Sequence, residues 1–214
     1  MRAVPILSAL VVVFVAAIPT TLTGQVRPRT MTLAQEASGP VEWSGNSNWR
    51  GPTGFSQTGA GVVTHTWSAD SDWALTSMNW RERRDDAVWF EFVGRRLCAD
   101  QDCEYRTLHT FQTEQGNLTS QKSVPSGDER YGTAVSVCTS SSGKIKGVRM
   151  WNARIRADRT LEPGSIRHEF ERTNCRNWHT PEECGPRQVI VGIRAHGTDD
   201  KGYTGLSIRC GRVG

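Results

Sequence analysis

The chain has 214 residues, of which 22% are charged and 36% hydrophobic, with a formal net charge of +4. After the N-terminal segment no stretch is apolar enough to cross a membrane, which excludes a bundle of membrane-spanning helices. Of the 26 cationic side chains only Lys122, Lys144, Lys146 and Lys201 are lysines, so the charge rests on arginine, whose planar fork suits sulfate, phosphate and carboxylate.

The first residues carry one cation, Arg2, then an uncharged apolar run from Val4 to Ile18. That run is too short to span a bilayer and has the length of a signal-peptide core. Residues 1–24 are therefore predicted to be a signal peptide, with small residues at 15–17 and at 32–34 offering alternative cleavage points. Residues 25–40 are polar and aperiodic, the pattern of a disordered linker. Residues 41–214 then form a single secreted domain, large enough to bury a core.

From Val41 onward no long amphipathic helix is legible. Short alternating apolar runs are broken instead by Gly, Asn, Asp and Ser, the punctuation of an all-β chain. Strands are predicted at Val62–Trp67, Trp73–Trp80, Val88–Val93, Ala134–Cys138, Ile145–Trp151, Ile166–Phe170, Val189–Arg194 and Leu206–Cys210.

Several of these runs lead to a cysteine. The closing cysteines Cys98, Cys138, Cys175 and Cys210 lie 40, 37 and 35 residues apart. Acidic or basic tips precede them at Asp85-Asp86, Asp128-Glu129, Asp158-Arg159 and Asp199-Asp200. The reading is a repeat of hairpin units that must pack on one another, because one hairpin cannot bury a face alone.

Six cysteines in an exported chain, with no CxxC pair, favour disulfides over zinc. They permit fifteen pairings. The preferred one joins Cys184 to Cys210 across a single hairpin, limiting the unfolded chain by roughly 3 kcal/mol. Cys103–Cys138 is then the analogous clip, and Cys98–Cys175 joins neighbouring units. Asn117-Leu118-Thr119 is a glycosylation sequon in keeping with that compartment.

Tryptophan beside arginine is the most suggestive chemistry. Eight tryptophans are present, several next to cations, as in Trp49-Arg50 and Trp80-Arg81. An indole face stacks on a sugar ring while guanidinium groups pair with sulfate or uronate. The candidate ligand-binding residues are Trp80, Arg81, Arg83, Arg84, Asp85, Asp86 and Trp89 on one tip, and Arg149, Trp151, Arg154, Arg156 and Asp158 on another. The competing account is that tryptophans fill the core and arginines cover them.

No metal site is expected: the five histidines have no ligand spacing, and the acidic tips read as solvated turns. No cofactor is expected either. The motifs of serine hydrolases, papain-like proteases and phosphate loops are absent, so a catalytic role is not expected. Two carboxylates converging in a cleft would instead point to an extracellular polysaccharide hydrolase.

The stretch "CGPRQVIVGIRAHGTDDKGYTGLSIRC", 184–210, resembles the repeat of the dermatopontin family of secreted matrix proteins and haemagglutinins, as do residues 78–105 and 137–159. More loosely, "GTDDKGYTGLSIRC" is similar to the repeats of vitelline-membrane outer-layer proteins, which implies a β-prism. The fold expected is thus all-β, with disulfide-clipped hairpin units packed as a β-prism or a sandwich. The resemblances imply binding to glycans, extending to glycosaminoglycan-like anionic polysaccharide. A homo-oligomer is compatible with them; nucleic acid and membrane insertion are not expected. A purely structural extracellular protein is the remaining alternative.

Overall fold

The computed structural model describes residues 42–45, 48–56, 62–98, 103–114, 116–119, 121–124, 130–162, 166–198 and 202–214. All lie in the compact unit Glu36–Gly214. The signal-peptide and linker segments and the tips Asp128-Glu129 and Asp199-Asp200 lie outside the described residues.

Fourteen strands are described: β1 (Trp43–Ser44), β2 (Arg50–Gly54), β3 (Val62–Ser68), β4 (Trp73–Arg83), β5 (Asp86–Arg96), β6 (Tyr105–Gln112), β7 (Lys122–Val124), β8 (Tyr131–Thr139), β9 (Ile145–Ala153), β10 (Ile166–Glu171), β11 (Asn177–Trp178), β12 (Glu182–Glu183), β13 (Gln188–Thr198) and β14 (Gly202–Val213). Each of the eight predicted runs falls inside one of them. There is no helix among the described residues.

The strands form three antiparallel sheets, each built on a long central hairpin. In the first sheet, β4–β5 is flanked by β6 on β5 and β7 on β4. The second repeats this with β8–β9, where β10 pairs β9 and both β11 and β12 pair β8. The third, here the closing sheet, combines both ends of the unit: β13–β14 from its C-terminal part, with β1 and β2 on β14 and β3 on β13.

The hairpins do recur, but as three units rather than four. Their first strands begin at Trp73, Tyr131 and Gln188, 58 and 57 residues apart. The cysteine spacing did not reveal this period because the four closing cysteines sit at inequivalent places. Cys98 follows a second strand, Cys138 lies within a first strand, Cys175 follows a third, and Cys210 lies within a second.

The register shows the repeat residue by residue. Each first strand has a bulge, at Thr76, Thr133 and Val191, and each second strand has another, at Val88, Lys146 and Thr204. A bulge takes one residue out of the ladder and turns its polar groups elsewhere. The carbonyls of Val88, Lys146 and Thr204 accept backbone bonds from Thr113, Arg172 and Phe55, at 2.9, 2.9 and 3.0 Å. All three donors directly follow the outer strand beside the hairpin's second strand. Thr76 and Thr133 also donate their hydroxyls to the carbonyls of Val93 and Trp151, both at 3.1 Å.

The inner faces of all three sheets share one core. Leu75, Met78, Trp80, Phe90 and Phe92 from the first sheet meet Val135, Val148 and Met150 from the second, and Ile190, Ile193, Leu206 and Ile208 from the closing sheet. A smaller cluster, with Ala74, Tyr131 and Val189, seals the end where the first strands begin. There Tyr131 donates its hydroxyl to the Arg96 carbonyl at 2.7 Å.

Charges lock neighbouring sheets at the opposite end. Glu82 is fully buried and receives the guanidinium of Arg172, which also lies 3.1 Å from Asp85. The hydrogen bond to Glu82, with a smaller contribution from the Asp85 charge, holds the Arg172 guanidinium above its ordinary pKa. Lys146, itself buried, reaches Asp86 at 2.8 Å and the Asp85 carbonyl.

The disulfides pair Cys184 with Cys210, Cys98 with Cys103, and Cys138 with Cys175. Two of these replace the expected Cys103–Cys138 and Cys98–Cys175. The cause is strand pairing: β11 returns to β8 with Trp178 opposite Cys138, which brings Cys175 alongside, Cα to Cα 5.7 Å. Cys98 and Cys103 close the short connection from β5 to β6.

Two measurements check this architecture. Replacing Cys138 and Cys175 together by Ala should cost about 4 kcal/mol in urea unfolding, against about 2 kcal/mol for the short Cys98–Cys103 loop; equal costs would contradict the loop assignment. Arg172→Ala should destabilise by about 3 kcal/mol by stranding the Glu82 carboxylate. Combining it with Glu82→Gln should recover most of that loss.

Candidate functional site

The three sheets differ sharply in charge. In the first sheet the strands carry Glu82, Asp86 and Glu91 among their arginines. In the second they carry Glu169, Glu171, Glu182 and Glu183. The closing sheet's five strands contain no Asp or Glu, yet they include Arg50, Arg194, Arg209 and Arg212.

Alternation decides which of these groups face outward. Ile193 and Ala195 of β13 enter the core, as do Leu206 and Ile208 of β14. Gly192, Arg194 and His196 are therefore turned to the other face, opposite Arg209, Ser207 and Gly205 on β14 and Ser68, Thr66 and Thr64 on β3. This outer face combines cations, hydroxyls and one imidazole.

Its centre is well ordered by contacts. Arg194 lies 4.3 Å over the ring of Trp49, just before β2, and donates to the Thr66 hydroxyl at 3.3 Å. Arg209 donates to the Ser68 hydroxyl at 3.5 Å. His196 Nε2 and Ser207 Oγ are 2.8 Å apart and buried. Burial, with the nearby Arg194 charge adding to it, pushes the His196 imidazole below its ordinary pKa. Trp49 and Thr66 are neutral partners, so the Arg194 charge is held in place without being cancelled.

The residues predicted as binding sites have other surroundings. Trp80 is only 1% exposed, packed edge-on to Phe170 at 5.1 Å in the core. Arg81 covers Trp89 at 4.9 Å. Arg83 is paired with Glu114 at 2.6 Å, and Asp86 with Lys146. Arg84 and Asp85 are exposed in the β4–β5 turn, whose positive φ values of 50° and 67° suit a two-residue hairpin connection.

On the second sheet, Arg149 lies 3.6 Å over Trp178 and 2.8 Å from Glu169. Arg154, Arg156 and Asp158 are exposed beyond β9. Asp158 accepts from the Thr160 amide and hydroxyl, at 3.0 and 2.6 Å, which holds its carboxyl below the ordinary range. The two predicted groups thus occupy different sheets, and arginines cover several of the indole faces on which a sugar would stack.

Trp151 is different. It lines a cleft of about 300 Å³ on the second sheet with Thr133, Ala134, Ala153, Glu162, Glu183 and Gln188 among the other walls. Glu162 is bound to Arg130 at 3.0 Å, and the Gln188 side-chain oxygen accepts the Gly185 amide at 2.9 Å. Among the described residues no three His, Cys, Asp or Glu side chains converge as a metal site.

Trp151 is the one sequence candidate among the cleft walls, and none of the sequence candidates lies on the closing-sheet face. The signal was present: β3, β13 and β14 alternate without an acid. It was hidden because the face is assembled from both ends of the unit.

No family model matches this chain, and no curated protein does. Among solved structures, it is similar to Calystegia sepium agglutinin at 10% identity and a TM-score of 0.46, over 78% of this chain and 97% of that one. It is also similar to single-chain recombinant jacalin, at 11% identity and 0.46, over 78% and 95%. A mannose-specific jacalin-related lectin from Morus nigra, in complex with mannose, gives 11% and 0.44, over 79% and 95%. At these values the likeness assigns no ligand and no residue here, and the site stands on this chain's own geometry.

The imidazoles supply a pH test. His196 and His179 are both held below the ordinary value of 6.5 by burial. Their neutral forms contribute full stability above that value and lose it as pH falls, because the unfolded chain takes up protons first. The urea midpoint should therefore drop between about pH 7 and 5, and His196→Asn should flatten part of that drop. A wild-type midpoint that stays constant across this window would refute the assignment.

Proposed function

We propose that the domain binds carbohydrate, and that the outer face of the closing sheet receives an anionic polysaccharide. The observation that carries this reading is the complete absence of Asp and Glu from five strands that present Arg194 and Arg209. On the other sheets Arg83, Arg96 and Arg149 are already neutralised by carboxylates.

The chemistry follows from the arrangement. A sulfate or uronate meeting Arg194 and Arg209 replaces water with charge-assisted hydrogen bonds from planar forks. Thr64, Thr66 and Ser68 add hydroxyls along the same face, donors and acceptors for sugar hydroxyls. Trp49 holds the Arg194 guanidinium flat, so less side-chain freedom is lost on binding. A repeating polymer engages such a face several times, and weak contacts add as avidity. The three disulfides suit an oxidising, extracellular setting, where such polymers occur.

Heparin chromatography tests the proposal. The wild-type domain should be retained beyond a control protein matched in size and net charge. Arg194→Ala with Arg209→Ala should elute at lower salt, each loss taking about 0.7–0.9 from the slope of log affinity against log salt, as for other linear polyanions. Equal elution of the wild type and the double variant would overturn it.

A further inference from the structure

We propose that the cleft beside Trp151 is a second binding site, separate from the anionic face, and that it takes a single neutral sugar ring. The internal repeat provides the argument. Counting from the bulges, Ala134 of the second sheet corresponds to Ser77 of the first and Gly192 of the closing sheet. Ala153 likewise corresponds to Arg95 and Gly211.

In the closing sheet this place is occupied. The Trp43 ring lies on Gly211, so close that a β-carbon there would stand 2.8 Å from it. Trp43 is held by its indole N–H, which donates to the Asp70 carbonyl at 2.8 Å. In the first sheet Tyr105, opposite Arg95 in the ladder, reaches the Ser77 hydroxyl at 3.2 Å. An aromatic side chain therefore covers the floor in two of the three repeats.

In the second sheet the floor is Ala134 and Ala153, and both line an open cleft. The aromatic at this site, Trp151, comes from within β9 and stands beside the floor as a wall. Its equivalents are Val93 and Arg209, so the indole is particular to this repeat. The cleft is what remains when the covering ring is absent, and Trp151 turns that vacancy into a site.

The walls specify the ligand. About 300 Å³ is at the small end of ligand pockets and suits one ring rather than a chain. Trp151 offers an apolar face, and Glu162, Glu183 and Gln188 bring acceptor oxygens. A pyranose has this complement, an apolar face edged with hydroxyl donors. Glu162 is paired with Arg130, but the Glu183 carboxylate disfavours a sulfated or uronic ring, so the cleft and the closing-sheet face select opposite ligands.

The experiment is saturation-transfer NMR on the full domain with a panel of neutral sugars: glucose, galactose, mannose, N-acetylglucosamine and the β1–4 dimers of glucose and N-acetylglucosamine. At least one should show transfer, weakened about tenfold or more in affinity by Trp151→Ala and by Ala134→Leu, which fills the floor. Heparin retention of both variants should be unchanged, which also reports that they are folded. No transfer from any sugar to the wild type, or equal affinity in a folded variant, would overturn the proposal. Loss of heparin retention alone in Arg194→Ala concerns only the other face.

Discussion

A β-hairpin with one apolar face has nowhere to hide it, and this constraint organises the whole molecule. Each of the three central hairpins carries a continuous inner row, such as Leu75, Met78, Phe90 and Phe92 in the first. No hairpin can cover its own row, but three set face to face cover one another. At about 25 cal/mol per Å² of apolar surface removed from water, that mutual burial is the dominant favourable contribution, and it is lost together if one hairpin leaves.

The bulges set how the three walls fit. Each takes a residue out of the ladder at the same place in each hairpin, and those of the second strands free a carbonyl for the chain that leaves the neighbouring outer strand. Side chains then specialise the repeats. The bulge residue is Val88 in the first, Lys146 in the second and Thr204 in the third, and only Lys146 reaches across to the β4–β5 turn. One backbone plan thereby supports a charged junction in one place and an apolar or hydroxyl-bearing one in the others.

The same plan separates charge. Outer faces are free to vary because the core does not read them, and the three have diverged. Two neutralise arginines with carboxylates, whereas the closing sheet stabilises Arg194 with Trp49 and Thr66. Guanidinium groups over indoles occur on every sheet, so stacking by itself marks no site. What distinguishes the closing sheet is the missing acid, and what distinguishes the second is the missing cover over Ala134 and Ala153.

Strand positions were legible because alternation is local: Val62–Trp67, Ile145–Trp151 and the other runs each report a buried face through a period of two. The all-β class and the recurrence of hairpins follow from that pattern. β6, by contrast, went unread, since at an edge only Leu108 and Phe111 turn inward. The period of the repeat, the Cys138–Cys175 and Cys98–Cys103 pairings, and the burial of Trp80 depended on which strands return to which. The sequence alone determined eight of the fourteen described strands, the arginine-borne charge and the cysteine count. Tertiary structure decided that β1–β3 join β13–β14 into one acid-free sheet, and that Trp151 faces an open cleft, because both depend on contacts between segments far apart in the chain.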